Sequence, residues 1–167
     1  MLPEAYWLRL ESLRDLLEVY DAELAMLDDH IHRQLRDDPG YRAVLQINGV
    51  GRVLGAIFVA EIGDITRFPG PEKLCSWAGL TPKHRESDDK VQRGPITKQG
   101  SPLVRWAAIE AISKYRGGEK LRADYLRIAE RRGKFKARVA VARKLLALVF
   151  YGLRDGEVRC LEAHRAA

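Results

Sequence analysis

The stretch from Lys83 to Lys98 holds the residue types best suited to chemistry on a phosphate. Ser87 lies among Lys83, His84, Arg85, Lys90, Arg93 and Lys98. A serine hydroxyl attacks phosphorus only if a base takes its proton and cations neutralise the phosphate oxygens. The lysines and arginines can do the second. His84 or a nearby carboxylate can do the first, and no spacing singles one out. Composition by itself favours the plainer alternative, a loop serine in a phosphate-binding segment. Downstream, Ser101-Pro102 has the form of a helix N-cap followed by proline at the first helical position, which is the main reading of Ser101, with catalysis as the other, and Ser101 is also a candidate phosphate contact beside the basic segment. Arg105 falls one turn into that helix. It can reach back to a phosphate held by residues 83–98, pair with Glu110, or face water.

A second group lies at Ile47-Asn48-Gly49-Val50-Gly51. Glycines let the backbone bend sharply and approach a ligand, and the helix that begins at Arg52 presents free N–H groups and the positive end of its dipole. Gly49, Gly51 and Arg52 are therefore candidate phosphate contacts, with Val50 anchoring the turn inward. The pattern is similar to a helix-hairpin-helix element over residues 41–62, and a tight turn without a ligand fits the same residues. No metal pattern is present. His30 and His32 stand two apart on a helical stretch, which does not place them on one face. His84 and His164 are isolated, and there is no Walker loop or cysteine cluster.

The elements that must position these residues are helical. Leu10, Leu13, Leu17, Tyr20, Leu24, Leu27 and Ile31 recur at spacings of 3 and 4, a heptad seam that Leu35 leaves by one position. No Gly or Pro interrupts residues 4–38, so one long helix is expected there, closed by Asp37-Asp38-Pro39-Gly40. Its narrow stripe needs a partner helix, from a second copy or from the rest of the chain. Its acidic flanks (Asp15, Glu18, Asp21, Glu23, Asp28) should keep nucleic acid away. Helices are predicted over 41–47, 52–62, 71–78, 101–115, 119–132 and 134–154, the last with Val139, Ala142, Leu146, Val149 and Leu153 as its apolar face. Residues 80–100 show no clean periodicity and read as a loop or a short irregular hairpin. The expected fold is all-α: a coiled-coil helix over 4–38, a compact helical domain over 41–154 and a tail over 155–167.

Charge divides the chain in the same way. Residues 1–64 carry 6 basic and 12 acidic side chains, net −6, and the remainder carries 23 basic and 11 acidic, net +12. A basic segment of that density suits a polyanion, and a solvated basic surface is the plainer alternative. No apolar run approaches the roughly 18 residues that span a bilayer, and the acidic, periodic N-terminus does not read as a signal peptide. Cys75 and Cys160 lie far apart and read as reduced cytosolic thiols.

Three segments together, INGVGRVLGAIFVAEIGDITRF, SWAGLTPKHRESDDKVQRGPITKQGSPLVRWAAIEA and KARVAVARKLLALVFYGLR, resemble the C-terminal domain of insertion-sequence 110/116/902 family transposases over about residues 41–154. The seam helix resembles that family's coiled-coil linker. The resemblance implies a bacterial, cytoplasmic, nucleoid-associated protein that recombines DNA, with target choice guided by a structured RNA. It implies Ser87 as the nucleophile, attacking a DNA phosphodiester to leave a phosphoserine link and a free hydroxyl end. It places Lys98 and Arg105 against the phosphate. It also implies an acidic, RNase-H-like domain holding a divalent metal, Mg, that would precede the coiled coil. Its carboxylates are not in this sequence, so no cofactor is expected on this chain and the chain alone is expected to be inactive. Two positions depart from the family pattern: Asp88, followed by Asp89, stands where glycine is usual, and Asn48 stands where proline is usual. An added carboxylate beside a nucleophile that faces phosphate is electrostatically unfavourable.

Overall fold

The structure, a computed structural model, describes residues 3–87, 90–114 and 119–159, the side chains of 84–93 and of Glu119 excepted. The chain divides into two units, residues 1–35 and 36–167. The first is a single helix, α1 (Glu4–Leu35). None of its residues is buried, and the seam side chains are 43 to 62% exposed. It stops three residues short of the predicted end because Asp38-Pro39 starts the next helix instead of closing this one. Asp38 Oδ1 accepts from Tyr41 N at 2.6 Å, and Pro39 occupies the first helical position of α2 (Pro39–Leu45).

The second unit continues with α3 (Arg52–Ile62), a 3-10 turn at Ile65–Arg67, α4 (Pro71–Trp77), strands β1 (Pro82–Ser87) and β2 (Lys90–Ile96), then α5 (Pro102–Lys114), α6 (Glu119–Arg132) and α7 (Lys134–Asp155). Helix α7 is the hub, packing against α2, α4, α5 and α6. Its buried face is wider than the predicted stripe. Val141, Leu145 and Phe150 join Ala142, Leu146 and Val149, while Val139 and Leu153 are only partly buried. A helix with neighbours on several sides buries more than a single amphipathic stripe. The segment expected to be a tail begins inside this core, since Val158 is buried.

Strands β1 and β2 form a two-stranded antiparallel sheet, the one departure from an all-α fold among the described residues. Ile96 pairs with Pro82, and Ser87 pairs with Lys90. The register slips between Pro82 and His84, leaving one extra residue in β2 near Gly94-Pro95. Proline has no N–H to give a ladder, so a bulge there is the expected accommodation.

The root of this hairpin is locked to the end of α4. Lys98 N donates to Gly79 O at 3.1 Å, and Thr97 N donates to Thr81 O at 2.9 Å. The backbones come so close that a Cβ on Gly100 (φ +75°) would lie 1.6 Å from Trp77 O, and one on Gly79 (φ +70°) would lie 2.3 Å from Gln99 O. Both positions need glycine for its left-handed backbone and for the space. Elsewhere, Asp124 fastens α6 to α7. It binds Lys144 and, at 2.6 Å, Arg127. Those two hydrogen bonds hold the Asp124 carboxyl below its ordinary range.

Gly100→Ala is expected to cost more than about 3 kcal/mol, since it adds left-handed strain to a backbone clash. That corresponds to a fall in Tm of roughly 6–12 °C for a chain of this size, read by thermal unfolding. Gly51→Ala, at φ −90° with nothing within 4 Å of the new Cβ, should cost less than about 1 kcal/mol. Because the folded-state pKa of Asp124 is depressed, its stabilisation is present above the unfolded value near ~3.9 and is lost as pH falls through the folded value. Asp124→Asn should therefore flatten the acid limb of the stability curve.

Candidate nucleic-acid interface

The sequence-derived candidates fall into separate groups. Gly49 (φ +85°), Gly51 and Arg52 lie at the N-terminal end of α3. Val50 N donates to Ile47 O at 3.0 Å, which tightens the turn, and Val50 is buried beneath it. Gly51 is the N-cap and supplies no side-chain cap. Gly51 and Arg52 are exposed, and Tyr41 Oη donates to Arg52 O at 3.4 Å from α2. This is a short turn between two helices, anchored by buried Ile47 and Val50 and exposed at Asn48 and Gly51.

Ser101 lies at the other end of α3. Its Oγ accepts from Val104 N at 3.2 Å, so it caps α5, and donates to Glu61 Oε2 at 2.7 Å. Nine residues of helix separate Arg52 from Glu61, about 14 Å along the axis. The glycine turn and the Ser101 cap therefore do not form one pocket. Ser101 is also buried and doubly bonded, so its hydroxyl is occupied in holding α3 to α5.

Arg105 neither pairs with Glu110 nor simply faces water. Its guanidinium, half-buried, donates through one terminal nitrogen to Ala78 O at 3.0 Å, while Glu110 pairs with Lys114 at 3.5 Å. Arginine satisfies an orphan carbonyl at the C-terminal end of α4, where the helix dipole favours a cation. Lys98 is exposed, with a positive φ of 56°. Lys98, Ser101 and Arg105 thus gather around the root of the hairpin. Ser87 is at the opposite end of β1, five residues or about 17 Å of strand from Pro82. Lys83, near the root, is exposed. By register Arg85 stands opposite Gln92, His84 opposite Arg93, and Ser87 opposite Lys90. The side chains of His84, Arg85, Ser87, Lys90 and Arg93 lie outside the described residues, as do Asp88 and Asp89.

Three features escaped the sequence reading. Glu61, the acceptor for Ser101, lies 40 residues away from it, and no local pattern links them. Arg67 lies over both Phe68 and Trp77, 4.5 and 4.7 Å from their ring centroids, in a stacked arrangement on the 3-10 turn. The third is the α6–α7 junction. Arg131, Arg132, Lys134, Lys136 and Arg138 fall within eight residues that contain no acid, and Phe135 between them is 83% exposed. None of the five cations is ion-paired with a described residue. A charge count over that window would have found it.

Among the described residues no three His, Cys, Asp or Glu converge to hold a metal ion. A cleft of about 310 Å³ between α5, α6 and α7, lined by Leu121, Arg122, Tyr125 and Arg138, contains none of the sequence-derived candidates. Cys75 is a buried thiol whose pKa is raised by burial and partly offset by Arg143, so it is poorly suited to act as a nucleophile. No helix among the described residues is long and apolar enough to cross a membrane.

Comparison with known proteins bears on the same region. The chain is similar to the transposase for insertion sequence element IS1111A of Coxiella burnetii, at 30% identity over 70% of this chain and 34% of that protein. It is similar to an insertion element IS110 protein of Streptomyces coelicolor, at 25% identity over 87% of this chain and 36% of the relative. It is also similar to the pilin gene-inverting protein of Moraxella lacunata, at 28% identity over 84% and 46% respectively. The chain spans less than half the length of these curated relatives. The profile of the IS116/IS110/IS902 transposase family matches residues 41–125, from the start of α2 into α6 and across both candidate groups. On that match, this chain belongs to the IS116/IS110/IS902 family of transposases.

Proposed function

We propose that the chain is the DNA-handling part of a transposase, acting in transposition or site-specific recombination. The observation that carries this reading is the family match across residues 41–125. The net charge of +12 over residues 65–167, against −6 before them, supports it, as does the relative named for inverting a gene. The turn at Gly49–Gly51, with Gly51 and Arg52 exposed at the start of α3, would serve as a helix-hairpin-helix grip on one strand's phosphates. Lys83 and Lys98 at the hairpin root, with the α6–α7 cations, would supply sequence-independent attraction for DNA or for a structured guide RNA.

In this proposal Ser87 is the nucleophile. Its Oγ forms a bond to a DNA phosphorus as the bond to one bridging oxygen breaks. The serine proton goes to a base, and the departing strand end takes up a proton as a hydroxyl. Lys90, the register partner of Ser87, and Arg85 and Arg93 nearby in the hairpin would neutralise the phosphate oxygens. Arg105 would act at one remove, by fixing the hairpin root to α4. The metal-binding carboxylates would come from an acidic domain outside this sequence, so the chain alone would bind DNA without cutting it. A second reading is a non-catalytic nucleic-acid-binding and dimerisation module. It is favoured by the structural duties of Ser101 and Arg105, two residues whose positions suggested phosphate binding.

Two measurements test these readings. Binding of duplex DNA should weaken as salt rises. Replacing Arg131, Arg132, Lys134 and Lys136 together by alanine should lower the log–log salt slope by about 0.9 for each phosphate that the variant no longer neutralises. An unchanged slope would remove the α6–α7 segment from the interface. Supplied with an acidic RNase-H-like domain of the family, the chain should form covalent protein–DNA adducts that Ser87→Ala abolishes. Adducts that persist in that variant would rule out Ser87.

A further inference from the structure

We infer that α1 pairs with α1 of a second copy of this chain in antiparallel orientation and in a single register. This rests on the reading of the seam as a self-association surface and adds its direction. The seam residues are Tyr6, Leu10, Leu13, Leu17, Tyr20, Leu24, Leu27 and Ile31, all exposed on a helix that buries nothing. An antiparallel pair sets each a position against a d position of the partner. Aligning Leu17 with Tyr20 of the partner subunit also aligns Leu13 with the partner's Leu24, Leu10 with the partner's Leu27 and Tyr6 with the partner's Ile31. Every seam residue then has an apolar partner. Sliding by one heptad in either direction leaves residues at one end of the seam unmatched.

The flanking charges select the same orientation. Outside the seam lie Trp7, Arg14, Asp21 and Asp28 on one side and Arg9, Leu16, Glu23 and His30 on the other. In a parallel pair the two sides face each other with an offset of five residues. That opposes Arg9 to Arg14 of the partner subunit and Glu23 to the partner's Asp28, two like-charge contacts that each occur twice. In the antiparallel register each side faces itself. Arg14 then meets Asp21 of the partner subunit, an opposite-charge contact that occurs twice by symmetry, and the like-charge carboxylates separate. Within its own helix Arg14 has only loose, exposed contacts, at 3.7 Å to Asp15 and 3.8 Å to Glu18, so it is free to turn to a partner. The a positions (Leu10, Leu17, Leu24, Ile31) hold one β-branched residue among four, whereas parallel dimers favour β-branched residues there.

Antiparallel pairing puts the two C-terminal ends of α1 about 50 Å apart, at 1.5 Å of rise per residue.

Cysteine cross-linking of the whole chain in a Cys160→Ser background tests the orientation. Leu10→Cys alone and Leu27→Cys alone should give no disulfide-linked dimer, and mixing the two variants should give one. A dimer from Leu10→Cys alone would show parallel pairing and overturn the orientation while leaving self-association intact. Sedimentation showing a monomer at high micromolar concentration would overturn both. Arg14→Asp or Asp21→Arg alone should weaken the dimer about tenfold, since two exposed attractive pairs become repulsive. Arg14→Asp with Asp21→Arg should restore it. Failure of that rescue in a folded, helical chain would also count against the register.

Discussion

The second unit depends on one close approach of backbone to backbone. Residues 97–100 lie against Trp77, Ala78 and Gly79 at the end of α4, so closely that neither Gly79 nor Gly100 has room for a Cβ. Arg105 then fills the open carbonyl of Ala78, and Ser101 caps α5 while holding Glu61 of α3. A strand hairpin with no third strand is marginal in water by itself. Here both of its ends leave from a fixed point, with the Thr97 and Lys98 amides bonded across the root. The root also sets the direction in which α5 enters the core, where Val104, Ala107, Ala108 and Ala111 are fully buried.

Much of the helical plan was legible because glycine and proline punctuate it. The bounds of α3 and α6 coincide with the sequence reading, and Ser101 caps α5 as its Ser-Pro form suggested. The misreadings have local causes. Asp38-Pro39 both ends a helix and begins one, and only the geometry shows that the aspartate turns toward Tyr41. The hairpin was one of two alternatives for residues 80–100, and it lacked alternation because a two-stranded ribbon with a bulge at Gly94-Pro95 has no apolar face to advertise. Arg105 could not be placed because its acceptor is 27 residues upstream and is a backbone carbonyl, to which any residue type contributes equally. The width of the α7 face was hidden for a related reason: periodicity reports one buried side, and a hub helix has several.

The separation of charge matches the separation into units. Residues 1–35, which carry the exposed seam, hold 3 basic and 8 acidic side chains, net −5, and the basic excess, 26 against 15, lies in the second unit. A helix bearing both a self-association seam and cations would compete with itself, since a polyanion would bind across the surface that a partner helix must cover. In the proposed pairing of α1, acidic flanks would remove that competition and leave opposite charges for setting register.

Within the second unit, family identity and electrostatic attraction occupy different places. The family profile ends at residue 125, and the densest run of cations lies at 131–138, beyond it. Inside the matched region several polar side chains already have structural partners: Ser101 with Glu61, Arg105 with Ala78 O, Asp64 with Thr66. Such residues preserve the shape of the hairpin root, and changing one should alter position before it alters charge. Arg131, Arg132, Lys134 and Lys136 at the α6–α7 junction are exposed and make no ion pair with a described residue, while Ala137 supplies the packing there and Arg138 lines the cleft. In the proposed function, general affinity for a polyanion would therefore be tuned at the junction without disturbing the hairpin root.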